Sequence, residues 1–363
     1  MEKIKKNFGF GCMRLPMVGE EVDYDEFNRM IDTFLEAGFN YFDTAHGYIS
    51  GKSETAIRDC LAARHPRESY ILTNKLSPGY FTCREEIRPL FESQLQLCGV
   101  EYFDFYLMHA LNNDRFDFYQ QVGAFDEALQ LKTEGKIRHM GISFHDKAAV
   151  LDRILTERPD IEVVQIQFNY MDYEDPIVES RACYEVCRKH NKPVIVMEPV
   201  KGGKLAQMSE DALAIYKDLG YLSPASYAIR FVAGHEGVMM TLSGMGNMEM
   251  MNDNLSYMKD FQPLNEKELD TVWKVADILI KQNQIACTGC CYCVDGCPAG
   301  IKIPDIFTCV NAKRALRDPK ADANYHALEG GKPADCVDCG QCEEVCPQHL
   351  PIRQLLKMAG KLF

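Results

Sequence analysis

Eight short, β-rich apolar runs mark this chain between Gly9 and Gly244: GFGCM, NYFDT, SYILTNK, FDFYLMH, IRHMGIS, VVQIQ, PVIVME and VMMTLSG. Longer amphipathic stretches separate them, among them EFNRMIDTFLEAG, FDEALQLKTEG, DPIVESRACYEVCRKH and SPASYAIRFVAG. A strand that must return through a helix before the next strand begins pairs with that strand in parallel, and a parallel sheet is covered on both faces. The alternation therefore predicts an α/β chain of successive βα units, and eight of them close into a (β/α)8 barrel. Gly38, Gly135 and Gly234 stand where helical runs end, and Pro176 and Pro224 where helices are expected to begin.

After Leu255 one further helical stretch, LNEKELDTVWKVADILIKQ, precedes a cysteine-rich tail, which puts a domain boundary near Gln282. The expected division is a barrel over residues 1–282 and a small domain over 283–363, with Asp318 to Asp335, rich in Ala, Asp, Gly and Pro, as a linker inside the tail. A length of 363 residues suits a large barrel with an appendage better than a single core. The chain is 46% hydrophobic and 26% charged with a formal charge of -13, a soluble globular composition that argues against a nucleic-acid or anionic-membrane partner. MEKIKKNFGFGCMRLP lacks the apolar core of a signal peptide, and no stretch approaches the roughly 18 apolar residues of a membrane span, so a cytoplasmic location is expected. In a reducing compartment, the sixteen cysteines point to metal or redox chemistry rather than to disulfides.

Chemistry on a parallel barrel gathers at the carboxyl ends of its strands. There NYFDT ends at Asp43 with Tyr48 just beyond, SYILTNK ends at Lys75 and FDFYLMH at His109, so four polar groups are expected on one rim. Each alone has an ordinary structural explanation; their coincidence on one rim is what points to a site.

The tail carries the most specific pattern. Cys287, Cys290, Cys293, Cys297 and Pro298 fit C-x2-C-x2-C-x3-C-P, and so do Cys336, Cys339, Cys342, Cys346 and Pro347. Three closely spaced thiolates suit one corner of an iron-sulfur cube, while the fourth, past a turn, reaches another cluster. Paired C-x2-C spacings also occur in zinc ribbons, but zinc takes four ligands, and here each run offers four in a spacing that suits a cube. Cys12, Cys60, Cys83, Cys98, Cys183, Cys187 and Cys309 lie among apolar neighbours and read as small core hydrophobes, and Cys291 is spare.

The segments FDTAHGYISGKSE, TNK, YFDFYLMH and GKIRHMGIS, within Phe8 to Leu255, together resemble the aldo/keto reductase family. By that resemblance Tyr48 is the general acid that protonates a carbonyl oxygen as hydride arrives. Lys75 favours its phenolate, Asp43 holds Lys75, and His109 orients the carbonyl. The family binds a nicotinamide dinucleotide across the rim. Ser143 and Gln165 stand where its carboxamide ligands belong, Met197 where a ring-stacking group belongs, and Lys201, Gly244, Glu249 and Asn254 in the last cofactor loops. Phe144 replaces a usual Asn, and the basic residues expected near Gly244 and Met250 are missing, which implies NADH rather than NADPH. The tail resembles bacterial two-cluster ferredoxins, an α-helical, ferredoxin-like module. That likeness assigns Cys287, Cys290, Cys293 and Cys346 to one [4Fe-4S] cluster and Cys336, Cys339, Cys342 and Cys297 to the other. The implied activity is carbonyl–alcohol interconversion on a small molecule, coupled to electron transfer. Because hydride carries two electrons and a cube one, a flavin in the barrel or in an electron-transfer partner protein is a candidate for splitting the pair. Two rival readings are a flavin- or cluster-dependent oxidoreductase without nicotinamide and a non-catalytic electron-transfer module. Tyr80, Phe81, Tyr170 and Tyr173 are candidate aromatic walls for the substrate.

Overall fold

The computed structural model describes residues 3–220, 222–282 and 284–363. Its first compact unit comprises the chain up to Pro199 together with Ile229–Leu264. The strands β1 (Phe8–Gly11), β2 (Tyr41–Asp43), β3 (Ile71–Leu76), β4 (Phe103–Leu111), β5 (Ile137–Phe144), β6 (Val163–Gln167), β7 (Val194–Met197) and β8 (Val238–Ser243) lie in it and pair in parallel in sequence order, and β8 closes on β1. All eight apolar runs read from the sequence are strands.

The barrel interior is filled, not hollow. Tyr41, Ile71, Phe105, Leu107, Val163, Ile195, Met240 and Leu242 form one buried cluster contributed by successive strands. Gly141 is required there, because a Cβ on it would lie 2.5 Å from Val163 and 2.7 Å from Leu107. Outside, the helix Tyr24–Glu36 shows how the sequence builds each covering layer. Asp23 caps it by accepting from the Glu26 N–H, and the i, i+3, i+4, i+7 positions Phe27, Met30, Ile31 and Phe34 are buried. Phe34 packs against Phe8, Phe39 and Phe42, and losing such a ring costs about 3 to 5 kcal/mol.

The second unit comprises Val200–Ala228 and Asn265–Phe363. The helix Glu266–Lys281 opens on a reciprocal cap between Asn265 and Glu268. Beyond it, the helices Ile303–Arg314 and Ile352–Leu362 enclose a small core of Ile301, Ile306, Phe307, Val310, Ile352 and Leu356. The turn at Lys201–Gly203 lies against the start of the first cysteine run: Lys204 Nζ donates to the Ile285 carbonyl, and Gly202, at φ +64°, leaves no room for a Cβ beside the Thr288 backbone.

Several expectations need correction. The helix expected from Asp175 spans only Ser180–Lys189, and Pro176 does not begin it. Asp175 instead accepts from the backbone of Ile177 and Val178, an Asx turn that competes with the helix. Pro224 does begin one, Pro224–Ala233. The expected linker at 318–335 contains the helix Ala321–Ala327, anchored by Tyr325, which stacks on Phe363 at 4.0 Å. Cys83 is half-buried rather than a core residue. Among the described residues, no helix is long and apolar enough to cross a membrane.

Candidate active site and cysteine module

Register brings the rim together. Asp43 pairs with Thr73 across β2 and β3, and Lys75 follows two residues on, so both side chains point the same way. Lys75 is 1% exposed. Its Nζ donates to Asp43 Oδ1 at 2.5 Å, to the Thr44 carbonyl at 2.8 Å and towards Tyr48 Oη at 3.4 Å, which engages all three ammonium protons. Burial pushes the Asp43 carboxyl up, while the Lys75 ammonium and the Gln165 amide, 3.2 Å from Oδ2, pull against it. Tyr48 sits in a turn of unusual backbone, with Gly47, Ile49, Ser50 and Gly51 all at positive φ. A Cβ on Gly47 would meet the Tyr80 hydroxyl at 2.5 Å.

The His109 ring stands edge-on to Tyr48 at 6.0 Å between centroids. Burial first, and then the charge of Lys75, hold its pKa well below the usual 6.5, so the imidazole is neutral. Its Nδ1 is 2.7 Å from Ser77 Oγ. The four residues read from the sequence therefore stand together.

Residues that the sequence reading passed over support them. Glu54 is fully buried and binds His46 Nδ1 at 2.7 Å and Asn74 Nδ2 at 2.8 Å. Ser53 bridges the Cys12 carbonyl and Thr44. Glu54 is the last residue of FDTAHGYISGKSE, so a signal was present, but nothing local marks that carboxylate as buried. Ser77 carries no sequence signal at all.

Of the expected cofactor positions, Ser143 and Gln165 are neighbours across β5 and β6 and both are buried. Ser143 Oγ accepts the Ala110 N–H at 2.7 Å, which leaves its proton to donate. The Gln165 amide nitrogen is turned to Asp43, which leaves its oxygen to accept. One donor and one acceptor side by side match a carboxamide. Phe144 is buried and Met197 half-buried. Asn254 is committed within the fold, donating to Ser243 and accepting from Tyr257, whereas Glu249 is exposed. Gly244 lies beside the Arg14 side chain, a cation that motif reading did not find. Lys201 is buried at φ +48°, in the second unit. Tyr80 is exposed and Tyr173 half-buried, but Tyr170 and Phe81 are buried, the latter against Phe118 and Tyr119, and Phe81 and Tyr170 offer no open wall.

In the second unit the thiols collect around two cavities. Cys287, Cys290, Cys291, Cys293 and Cys346 line one, and Cys297, Cys336, Cys339 and Cys342 line the other. Each cavity thus draws one thiol, Cys346 or Cys297, from the run that does not supply the rest. The short helices Tyr292–Asp295 and Gln341–Glu344 turn each run back on itself. Burial and neighbouring thiols push Cys293 up, a crowding that bound iron would relieve by favouring thiolates. Among the described residues no three Cys, His, Asp or Glu side chains close on a single ion. Soft sulfur donors spread round a common space, rather than closing on one ion, fit a cube.

A filled parallel barrel with a buried lysine–aspartate pair beside a tyrosine, on a chain that also carries two cysteine-lined cavities, belongs to the class of iron-sulfur oxidoreductases. Residues 7–277 match the aldo/keto reductase family and residues 286–350 match the 4Fe-4S dicluster domain, and the chain belongs to the aldo/keto reductase family. It is 25% identical over 280 residues to the 9,11-endoperoxide prostaglandin H2 reductase of Trypanosoma cruzi, covering 72% of this chain and 90% of that one. It is 27% identical over 203 residues to the NADH-specific methylglyoxal reductase of Escherichia coli, covering 48% and 57%. In fold it resembles an aldo-keto reductase from Klebsiella pneumoniae in complex with NADPH, at TM-score 0.58 and 18% identity over 74% of this chain and 90% of that one. An aldo/keto reductase from Brucella melitensis is similar at TM-score 0.57 and 22% identity over 75% and 98%.

Proposed function

We propose that residues 1–282 interconvert a carbonyl and an alcohol on a small molecule with a nicotinamide dinucleotide, and that residues 283–363 carry electrons through two [4Fe-4S] clusters in the cytoplasm. The observation that carries this reading is the fully engaged Lys75 ammonium between Asp43 and Tyr48. An ammonium beside a phenol stabilises the phenolate, so Tyr48 can give its proton to a carbonyl oxygen and take it back from an alcohol. Asp43 fixes Lys75, and neutral His109 orients the oxygen without adding charge. Ser143 and Gln165 hold the carboxamide of the dinucleotide, which when bound supplies or accepts hydride. Met197 would pack on its ring, and Gly244, Glu249 and Asn254 would line or support its phosphate and ribose end. Exposed Glu249 and Met250, at the start of the helix Met248–Met258, favour NADH, since a 2'-phosphate calls for paired cations there.

Cys287, Cys290, Cys293 and Cys346 hold one cluster and Cys336, Cys339, Cys342 and Cys297 the other. The clusters, when bound, move electrons singly. A two-electron hydride therefore needs a splitting group, and a flavin, in the barrel or on an electron-transfer protein partner, has that chemistry. Tyr48→Phe tests the core of the proposal: the variant should fold and lose about two to four orders of magnitude in turnover. Near-normal turnover would remove the carbonyl–alcohol reading.

A further inference from the structure

His109 is held by a neighbour whose effect is to choose between its two neutral forms. Leu76 pairs with Met108 across β3 and β4, which puts Ser77 beside His109. The Tyr119 hydroxyl ties the two strand ends together, 2.6 Å from the Leu76 carbonyl and 3.2 Å from that of His109. Ser77 is 3% exposed, and its Oγ has two neighbours: His109 Nδ1 at 2.7 Å and the His46 carbonyl at 3.2 Å. A serine hydroxyl has one proton to give. The shorter separation is that of a good hydrogen bond, whereas 3.2 Å lies beyond the usual range of O–H···O, about 2.5 to 3.0 Å.

We propose that Ser77 is a positioning residue whose hydroxyl donates to Nδ1 of His109, locking the imidazole in the tautomer that carries its proton on Nε2. Among the described residues no hydrogen bond engages that Nε2, so its N–H is presented to a ligand. A neutral donor there hydrogen-bonds a lone pair of a carbonyl or alcohol oxygen and rejects a group that can only donate. The depressed pKa of the buried ring agrees with a single ring proton. This inference rests on the proposed role of His109 in orienting the carbonyl, but its test does not depend on turnover.

The 363-residue chain, labelled with 15N at its nine histidines, is to be examined by long-range 1H–15N correlation near neutral pH, with His109 assigned from the His109→Gln variant. The expected result is one tautomer, protonated at Nε2. In Ser77→Ala that single form should be lost to a mixture while the other histidine signals stay in place, and Ser77→Thr should restore it. A proton on Nδ1, protonation of both nitrogens, or an unchanged tautomer in Ser77→Ala would each overturn the proposal. A correct tautomer together with near-normal turnover of Tyr48→Phe would instead reject the catalytic reading and leave the Ser77–His109 assignment standing.

Discussion

At the scale of single residues, the group that most needs explaining is the Lys75 ammonium, buried among strand ends. Its desolvation costs several kcal/mol, which is offset only because Asp43, Thr44 and Tyr48 take all three protons. His109 solves the same problem by staying uncharged, and this has a measurable consequence. Folding disfavours its protonated form, while in the unfolded chain a histidine titrates near 6.5. Below that pH the unfolded state binds the extra proton, so this contribution to stability is intact above about pH 6.5 and declines as the pH falls further. Chemical denaturation of His109→Gln should show a shallower loss of stability below about pH 6.5 than the parent does; equal slopes would mean that the ring is not held neutral. The four rim residues were legible because each lies at or just past the end of a recognisable strand. Ser77, Glu54 and Arg14 were not, because their significance comes from contacts across strands that no local pattern encodes.

Among the elements, the strands were legible for the reason that a buried parallel strand is a continuous apolar run with few alternatives. Sequence reading failed where short polar residues and tertiary contacts decided the outcome. Asp175 closes a turn where amphipathic spacing suggested a helix. Conversely, the segment 318–335 has the composition of a breaker, yet Ala321–Ala327 is helical because Tyr325 finds Phe363. The two cysteine runs depend on each other, since each cavity includes one thiol from the other run. Replacing Cys346 by Ala should therefore impair the cluster of Cys287, Cys290 and Cys293 and spare its neighbour. Iron content and EPR of the variant decide this, and a loss confined to the cluster of Cys336, Cys339 and Cys342 would mean uncrossed binding.

For the whole molecule, the proposed function sets hydride chemistry and single-electron chemistry in one chain. If NADH is the reductant, anaerobic titration should show binding roughly tenfold to a hundredfold tighter for NADH than for NADPH, the factor that one lost charge-assisted contact is worth. Tighter NADPH binding would contradict the preference and direct attention to Arg14, and binding of neither would favour flavin. The same titration, followed in the visible range, reports whether the cluster absorption bleaches. The Gly202 turn bears on how such a molecule could be taken apart. Because Val200–Ala228 and the helix Glu266–Lys281 group with the cysteine module, a cut at residue 282 would strip that module of Gly202 and Lys204, which touch its first loop. A graft of the cysteine module onto another protein would have to bring along a loop encoded some eighty positions upstream. Gly202 and the Thr288 backbone are thereby tied: a side chain added at the first would have to be met by a shift at the second.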